Sequence, residues 1–231
     1  MARILKDHIE FFRQFRERFQ TTGSVAPSSR FLANAMAGPL NMHQGPKRVL
    51  EVGPGTGAVT QRIVRSLNQD DHFDLVEINE VFADIIKGQF ETDPHFQPAA
   101  SQSQVHVCPL QEFEADEKYD FIVSGLPMNN FSAELVAEIF ESFFRLLKPG
   151  GVLSYFEYMY VRSVRRLISA AEESRRLKQL DQIANDYNFR FQFRRSWVFA
   201  NFPPAWVQHL RNTQGSQQRE PEEKESVISS D

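Results

Sequence analysis

A short apolar stretch that breaks into three closely spaced glycines constrains this chain more than any other feature. Residues 48–52 have the composition of a buried strand, and glycines then occupy positions 53, 55 and 57. A glycine has no Cβ atom, so the backbone can turn sharply there and approach a bound molecule closely. Apolar residues at helical spacing follow over 58–67. The sequence therefore predicts a strand, a ligand-binding loop and a helix, in that order. The alternative is a tight turn that binds nothing.

A carboxylate in the next predicted strand strengthens the first interpretation. Phe73–Val76 form a second apolar stretch, which ends in Glu77 about twenty residues beyond the loop. At that position of an open α/β sheet, a carboxylate can accept hydrogen bonds from two vicinal ribose hydroxyls. The glycine spacing does not fit G-x-G-x-x-G, so the dinucleotide fingerprint is absent. Without the loop, Glu77 would be read as an ordinary glutamate before a helix.

The remainder of the chain alternates between strand-like and helix-like segments. Strands are expected at 48–52, 74–77, 105–107, 119–124, 152–157, 190–195 and 197–201, and helices at 79–90, 132–147 and 161–186. Lys148-Pro149-Gly150-Gly151 is predicted to stop the middle helix and turn the chain into the fifth strand. This alternation is typical of an α/β fold with a mainly parallel sheet and helices on both faces.

Composition limits the class of protein. A chain of 231 residues with 41% hydrophobic content can bury one enzyme-sized core. The single cysteine, Cys108, excludes an internal disulfide framework and suits a reducing cytoplasm. No apolar run approaches the length that spans a membrane. The histidines are expected to be structural, and no metal site is predicted.

The loop motif resembles that of a known enzyme family. E-x-G-x-G-x-G over 51–57 is similar to motif I of class I S-adenosylmethionine-dependent methyltransferases. This resemblance implies a Rossmann-like seven-stranded sheet in the order 3-2-1-4-5-7-6 with a terminal hairpin, and S-adenosylmethionine as cofactor. It implies that Glu51 positions the methionine amine of the cofactor. The implied cofactor-binding residues are Glu51, Gly53, Pro54, Gly55, Thr56, Gly57, Glu77, Ile78, Pro109, Leu110, Gln111 and Ser124, with Ser28 and Ser29 before the loop.

Four further segments resemble the bacterial phospholipid N-methyltransferases. They are Ser124-Gly-Leu-Pro127, the G-S-h-x-P-S-S-R-x-L-A-x-x-M pattern of 23–36, Tyr155–Tyr158 and the N-h-P-P-A-x-V pattern of 201–207, and the resemblance covers roughly residues 10 to 210. It implies methylation of a phospholipid amine such as that of phosphatidylethanolamine. The implied catalytic residues are Ser124, Gly125, Leu126, Glu157 and Tyr158, and the implied substrate-binding residues are Pro127, Tyr160, Arg162 and Arg165.

The chain departs from the family pattern at two places. The usual Gly-Asp-Ala after strand three is replaced by Val107–Gln111, so adenine recognition is expected to use the backbone and Gln111. The Gly-Pro loop that often follows strand five is replaced by Met159–Arg162.

Two alternatives of other kinds stay open. An rRNA adenine dimethylase would carry an Asn at the end of strand four, where this chain has Ser124-Gly125, and would usually show a basic surface. Nucleic acid is therefore disfavoured as a partner. A non-catalytic protein with the cofactor-binding fold is the other alternative, and the oligomeric state is undetermined.

The two ends of the chain differ from its centre. Residues 1–30 combine a phenylalanine stripe at helical spacing with six basic and three acidic side chains, which favours either an interfacial helix at an anionic membrane or a lid over the sheet. Residues 212–231 hold two basic and five acidic side chains and predict a disordered tail. The expected division is an amphipathic segment at 1–40, a methyltransferase domain at 41–211 and an acidic tail at 212–231. The expected location is the cytoplasm, with peripheral attachment to the inner face of the membrane.

Overall fold

Seven strands form one mixed sheet in the computed structural model, which describes residues 30–159, 171–201 and 203–213. The order across the sheet is β3-β2-β1-β4-β5-β7-β6. The strands are β1 (Arg48–Val52), β2 (His72–Val76), β3 (Ser103–His106), β4 (Tyr119–Ser124), β5 (Leu147–Tyr158), β6 (Gln192–Val198) and β7 (Ala205–Arg211). The first five are parallel, and β7 is antiparallel to both β5 and β6. The predicted fold class and strand order are confirmed.

Helices cover both faces of this sheet. The helices are α1 (Arg30–Ala37), α2 (Thr60–Val64), α3 (Glu80–Thr92), α4 (Ala133–Leu146) and α5 (Ala171–Phe191). One buried cluster joins α1, α2 and α3 to one face, and a second joins α4 and α5 to the other. Apolar residues that recur every three to four positions give each helix its buried stripe. In the described part of the chain, no helix is long and apolar enough to cross a membrane.

The central strand brings three carboxyl ends together. β1 pairs with β2 on one side and with β4 on the other, so Val52 lies opposite both Val76 and Ser124. The chain leaves these three strands at Gly53, Glu77 and Gly125. Ligands of open parallel sheets bind at such an edge, where the strand order reverses.

The amino ends of the strands are held by polar contacts instead. Lys47 Nζ lies 2.5 Å from Asp71 Oδ2, and both side chains are buried. Asp71 also accepts hydrogen bonds from the backbone N–H groups of Lys47 and Asn68. Every polar group of this buried pair therefore lies close to a group of opposite charge or to a donor.

The position of the terminal hairpin differs from the prediction. Strands were expected at 190–195 and 197–201, but the first extends over Gln192–Val198 and the second begins only at Ala205. The connection contains Pro203-Pro204, and proline has no N–H group to donate to a strand ladder. The prediction included residues 199–201 in a strand because Phe199 and Ala200 are apolar, whereas all three belong to the turn.

The predicted end of the middle helix before Lys148 is confirmed, because α4 ends at Leu146. The fifth strand begins earlier than predicted, at Leu147, so residues 148–151 lie within β5 and not in a separate turn. The register between β4 and β5 shifts here, which marks an irregularity within the strand. Gly150 adopts a φ of 82° and its N–H group donates to the carbonyl oxygen of Asn212 at 2.7 Å. The helix predicted over 161–186 is described from Ala171 onward and continues to Phe191.

Candidate cofactor and acceptor site

The glycine loop leaves β1 in a conformation that side chains disfavour. Gly53, Gly55 and Gly57 have φ angles of 71°, 61° and 87°. A Cβ atom on Gly53 would lie 2.7 Å from Cδ2 of Leu126, so the loop is packed against the turn after β4. Pro54 is buried and Thr56 is exposed at the outer bend. The loop therefore presents bare backbone at the carboxyl edge of the sheet.

Glu51 lies under this loop in an environment that disfavours its charge. Its side chain is 0% exposed, and within the described ranges neither carboxylate oxygen has a hydrogen-bond partner. Burial raises the pKa of Glu51 to about 8; the nearby Thr60 hydroxyl opposes this rise, and the Glu77 carboxylate adds to it. The Thr60 hydroxyl is itself buried and outside hydrogen-bonding geometry. A buried carboxyl group in this condition is suited to a cationic ligand group.

Glu77 connects the loop to the next helix. Its Oε2 accepts a hydrogen bond from the Gly55 N–H group at 3.2 Å, and its Oε1 accepts one from the Asn79 N–H group at 3.0 Å. Asn79 in turn caps α3, because its Oδ1 accepts from the N–H groups of Val81 and Phe82. Each carboxylate oxygen has further acceptor capacity, so Glu77 can still bind a diol. Ile78 beside it is half-buried.

These features fit S-adenosylmethionine. Its methionine end carries an ammonium group, which would give the carboxylate of Glu51 a counterion. Its ribose carries the vicinal hydroxyls that the Glu77 carboxylate can accept from, and the glycine loop connects the two acids. Within the described ranges, no cluster of three or more His, Cys, Asp or Glu side chains is arranged to hold a metal ion.

The turn after β4 lies directly on the glycine loop. The Gly125 N–H group donates to the Val52 carbonyl oxygen at 2.8 Å, and a Cβ atom on Gly125 would lie 2.6 Å from the carbonyl oxygen of Gly53. Ser124 is fully buried, and its Oγ accepts from the Leu126 N–H group at 3.4 Å. The hydroxyl of Ser124 therefore caps its own turn. Pro127 is half-buried at the outer side.

The segment after β3 forms the third part of this edge. Leu110–Glu112 make one turn of 3₁₀-helix, in which Leu110 is buried and Gln111 is half-buried, and Pro109 precedes them. The Glu77 N–H group donates to the carbonyl oxygen of His106 at 3.0 Å, which fixes the start of this segment beside Glu77. Because β3 lies next to β2, Gln111 follows the strand that neighbours the one ending at Glu77.

Glu157 and Tyr158 end β5 and point to opposite faces, as successive strand residues do. Glu157 is buried, and its Oε2 accepts from Nε2 of Gln208 at 2.9 Å. Oε1 of Gln208 accepts from both Gln192 and Arg195, which orients its amide toward Glu157. Burial raises the pKa of Tyr158, so its phenol stays protonated at neutral pH.

The sequence interpretation missed two residues at this edge and named others that the structure does not describe. Thr60 and Gln208 were not singled out, although a glutamine in the otherwise apolar run of β7 was a usable signal. Ser28, Ser29, Tyr160, Arg162 and Arg165 lie outside the described residues, as do residues 1–29 and the tail from 214. The roles assigned to the site residues stay predictions.

Known proteins resemble this chain in sequence. Residues 49–151 match a family model described as a methyltransferase domain. The ornithine lipid N-methyltransferase of Singulisphaera acidiphila is 27% identical over 165 residues, which cover 70% of this chain and 85% of that protein. The ribosomal RNA small subunit methyltransferase A of Pseudomonas syringae is 29% identical over 117 residues, covering 51% of this chain and 39% of that protein.

Solved structures share the fold. An O-methyltransferase from Bacillus cereus in complex with SAH, the demethylated form of the cofactor, superposes with a TM-score of 0.59 at 16% identity and covers 87% of this chain and 90% of its own. At this identity the likeness speaks for the fold. Together with the matched domain, these findings confirm the predicted enzyme class and cofactor: the chain is an S-adenosylmethionine-dependent methyltransferase with a Rossmann-like methyltransferase fold, and it resembles lipid N-methyltransferases.

Proposed function

We propose that this enzyme methylates the amine of a phospholipid head group, such as that of phosphatidylethanolamine, at a membrane surface. The observation that carries the proposal is the Ser124-Gly125 turn. Ser124 is buried and caps its own turn, and Gly125 has no side chain, so neither offers a side-chain amide carbonyl to a nucleic-acid base. The similarity to an ornithine lipid N-methyltransferase, extending over 85% of that protein, supports a lipid acceptor.

The residues at the end of β5 support an amine as the nucleophile. An ammonium group must lose its proton before it can attack, because only the neutral amine has a free lone pair. Glu157 is a buried carboxylate at the catalytic edge, and its orientation is set by the hydrogen bond from Gln208. We assign it the role of proton acceptor. The protonated Tyr158 phenol suits an aromatic wall for the head group rather than a base.

The cofactor supplies an electrophilic methyl group, and the chain supplies alignment. Glu51, Glu77 and the glycine loop would fix the donor, while the turn after β4 would hold the acceptor at the same edge. The part of the predicted amphipathic segment that precedes α1 would bring the enzyme to the cytoplasmic face of the membrane, and Arg162 or Arg165 would bind the lipid phosphate. The acidic tail has no assigned role.

A transfer assay with methyl-labelled cofactor tests the acceptor. Purified enzyme is incubated with phosphatidylethanolamine vesicles, with ornithine lipid, with ribosomal RNA and with none of them. We expect label in a lipid and none in RNA. Label in RNA alone would overturn the proposal in favour of the rRNA enzymes matched over 117 residues. Binding of cofactor without transfer to any acceptor would favour a non-catalytic protein.

A matched pair of variants tests the proton acceptor. Glu157→Gln keeps the size of the side chain and removes its basicity, so kcat is expected to fall about 100-fold with little change in SAH affinity. Glu134→Gln, at an exposed position in the first turn of α4, is the control and should leave kcat unchanged. A kcat that is equal in both variants would exclude Glu157 as the base.

A further inference from the structure

Two exposed aromatic side chains lie together at the carboxyl end of β6. Trp197 is 55% exposed and Phe199 is 68% exposed. Their rings are stacked, with centroids 5.7 Å apart and an angle of 27° between the planes, and Trp206 packs edge-on against Trp197. Large aromatic groups that contact each other and still face water mark a surface that binds something. We refer to Arg195, Trp197 and Phe199 as the β6 tip.

The β6 tip lies at the same edge of the sheet as the active site. β5 and β6 are both antiparallel to β7, so they run in the same direction and their carboxyl ends share one edge. Trp197 is opposite Trp206, which is opposite Glu157, so these three side chains share one face. Two strand spacings place Trp197 about 10 Å from Glu157. A surface that meets the β6 tip also comes close to the acceptor side of the site.

The strand that carries the β6 tip is positively charged. Residues 192–201 contain two arginines, Arg194 and Arg195, and no carboxylate, although the whole chain has a net charge of -4. The guanidinium carbon of Arg195 lies 5.5 Å from the ring centroid of Trp206, so this charge is part of the aromatic cluster. Tryptophan and phenylalanine beside arginine are typical of protein segments that enter the head-group region of an anionic bilayer.

A second copy of the chain fits this surface poorly. β6 is the edge strand, and pairing with another β6 would bring Arg194 and Arg195 close to their own copies. Such like-charged pairs disfavour edge-to-edge association. A bilayer with anionic lipids complements both the aromatic rings and the positive charge.

We propose that the β6 tip inserts into the head-group layer of an anionic membrane and orients the active site toward its lipid acceptor. This deepens the proposed function and rests on it for the identity of the acceptor, but the insertion itself is separate from catalysis. It assigns a membrane contact to a folded strand end that is distinct from the amphipathic segment before α1.

Vesicle sedimentation with the full chain tests the insertion. The probe is a set of phosphatidylcholine vesicles with and without phosphatidylglycerol, and the test variant is Trp197→Ser with Phe199→Ser. The control is Phe189→Ser. Phe189 is 92% exposed and lies near the end of α5, directly before the amino end of β6, whereas the β6 tip lies at the carboxyl end of that strand. We expect partition to the anionic vesicles to fall at least about tenfold in the double variant and less than about twofold in the control.

SAH binding reports the folding of each variant, because the β6 tip is outside the cofactor-binding residues. Unchanged vesicle partition in a double variant that still binds SAH would overturn the proposal. So would a loss of single-stranded RNA affinity with vesicle binding intact, which would assign the aromatic rings to nucleic-acid stacking.

Methyl transfer to a water-soluble short-chain phosphatidylethanolamine separates the two proposals. If the double variant methylates the soluble lipid normally and the vesicles poorly, both proposals stand. If wild type methylates neither lipid but the double variant still loses vesicle binding, the proposed acceptor is wrong and the β6 tip is supported. If transfer to vesicles is equal in wild type and double variant, the β6 tip has no role in presenting the membrane.

Discussion

The buried charged groups at the two ends of β1 differ in their hydrogen-bond partners. At the amino end, Lys47 and Asp71 are both buried and form an ion pair at 2.5 Å, and Asp71 accepts further hydrogen bonds from two backbone N–H groups. At the carboxyl end, Glu51 is equally buried, but its carboxyl oxygens have no hydrogen-bond partner in the described part of the chain. Only a few residues separate the two groups along the strand.

This difference distinguishes buried charges that stabilise the fold from a buried acid that is suited to a ligand. A buried ion pair holds two elements in register, and the fold supplies both of its members. A buried acid without a partner raises the free energy of the folded protein and persists only when something else is gained. The same burial raises the pKa of Glu51, and a cationic ligand group would oppose this rise.

Breaking the ion pair at the amino end should cost the most stability. Asp71→Ala leaves the Lys47 ammonium buried without a counterion, which typically costs about 3 to 5 kcal/mol. Urea denaturation measures the loss, with the exposed neighbour Asp70→Ala as control. A loss below about 1 kcal/mol, equal to that of the control, would mean that water reaches Lys47 and the contrast does not hold.

Neutralising Glu51 at the carboxyl end should instead increase the free energy of unfolding. The pKa of Glu51 is raised to about 8 in the folded protein, so the stability of the cofactor-free protein decreases as pH rises from the unfolded value of 4.5 toward 8. Glu51→Gln removes this dependence and should stabilise that protein by about 2 to 4 kcal/mol at pH 8, but by little at pH 4.

Thermal or urea unfolding at both pH values checks the prediction for Glu51, with the exposed Glu80→Gln as control. A variant that is less stable than wild type at pH 8, or whose difference from wild type is the same at both pH values, would show that a partner already satisfies Glu51.

A methyl group added where the turn after β4 contacts the glycine loop should cause an intermediate loss of stability. In Gly125→Ala the new Cβ would lie 2.6 Å from the Gly53 carbonyl oxygen, so the backbone of the glycine loop must move. We expect a loss of about 1 to 3 kcal/mol in unfolding free energy together with weaker SAH binding.

Gly88→Ala is the matched control for Gly125→Ala, because it lies in α3 with no neighbouring atom within 4 Å of the added Cβ. That change should stabilise the protein by up to about 1 kcal/mol, since alanine favours the helix. Equal SAH affinity in both alanine variants would show that the two loops do not need their close contact.

The smallest expected effect concerns two helix caps. Asn79→Ala and Ser132→Ala each remove a side chain that caps a helix, α3 and α4 respectively, and each should cost about 1 kcal/mol. Only Asn79 adjoins Glu77, so only its removal should also weaken SAH binding. Isothermal titration of both variants decides, and equal affinities would place the cap outside the cofactor site.

Local patterns explain what the sequence could predict. The glycine loop, Glu77 and the apolar periodicity of α4 are properties of short segments, and from them the fold class and the position of the cofactor site could be predicted. The Lys47–Asp71 pair and the Gln208–Glu157 hydrogen bond join residues 24 and 51 positions apart, so no local pattern reveals them. The last strand was predicted too early in the sequence, because the apolar Phe199 and Ala200 resemble part of a strand. The prolines that follow, Pro203 and Pro204, determine the turn.

Calorimetric titration with S-adenosylhomocysteine tests the central claim, that Glu51 is an unpartnered acid reserved for a cationic cofactor. With its pKa at about 8, Glu51 is mostly protonated at pH 7 before binding. An ammonium group beside it should displace that proton, so titrations in buffers of different ionisation enthalpy should show release of about one proton per cofactor bound. Glu51→Gln should release none and bind at least about 100-fold more weakly. Equal affinity in wild type and variant, or binding by wild type without proton release, would show that Glu51 does not bind the ammonium group of the cofactor.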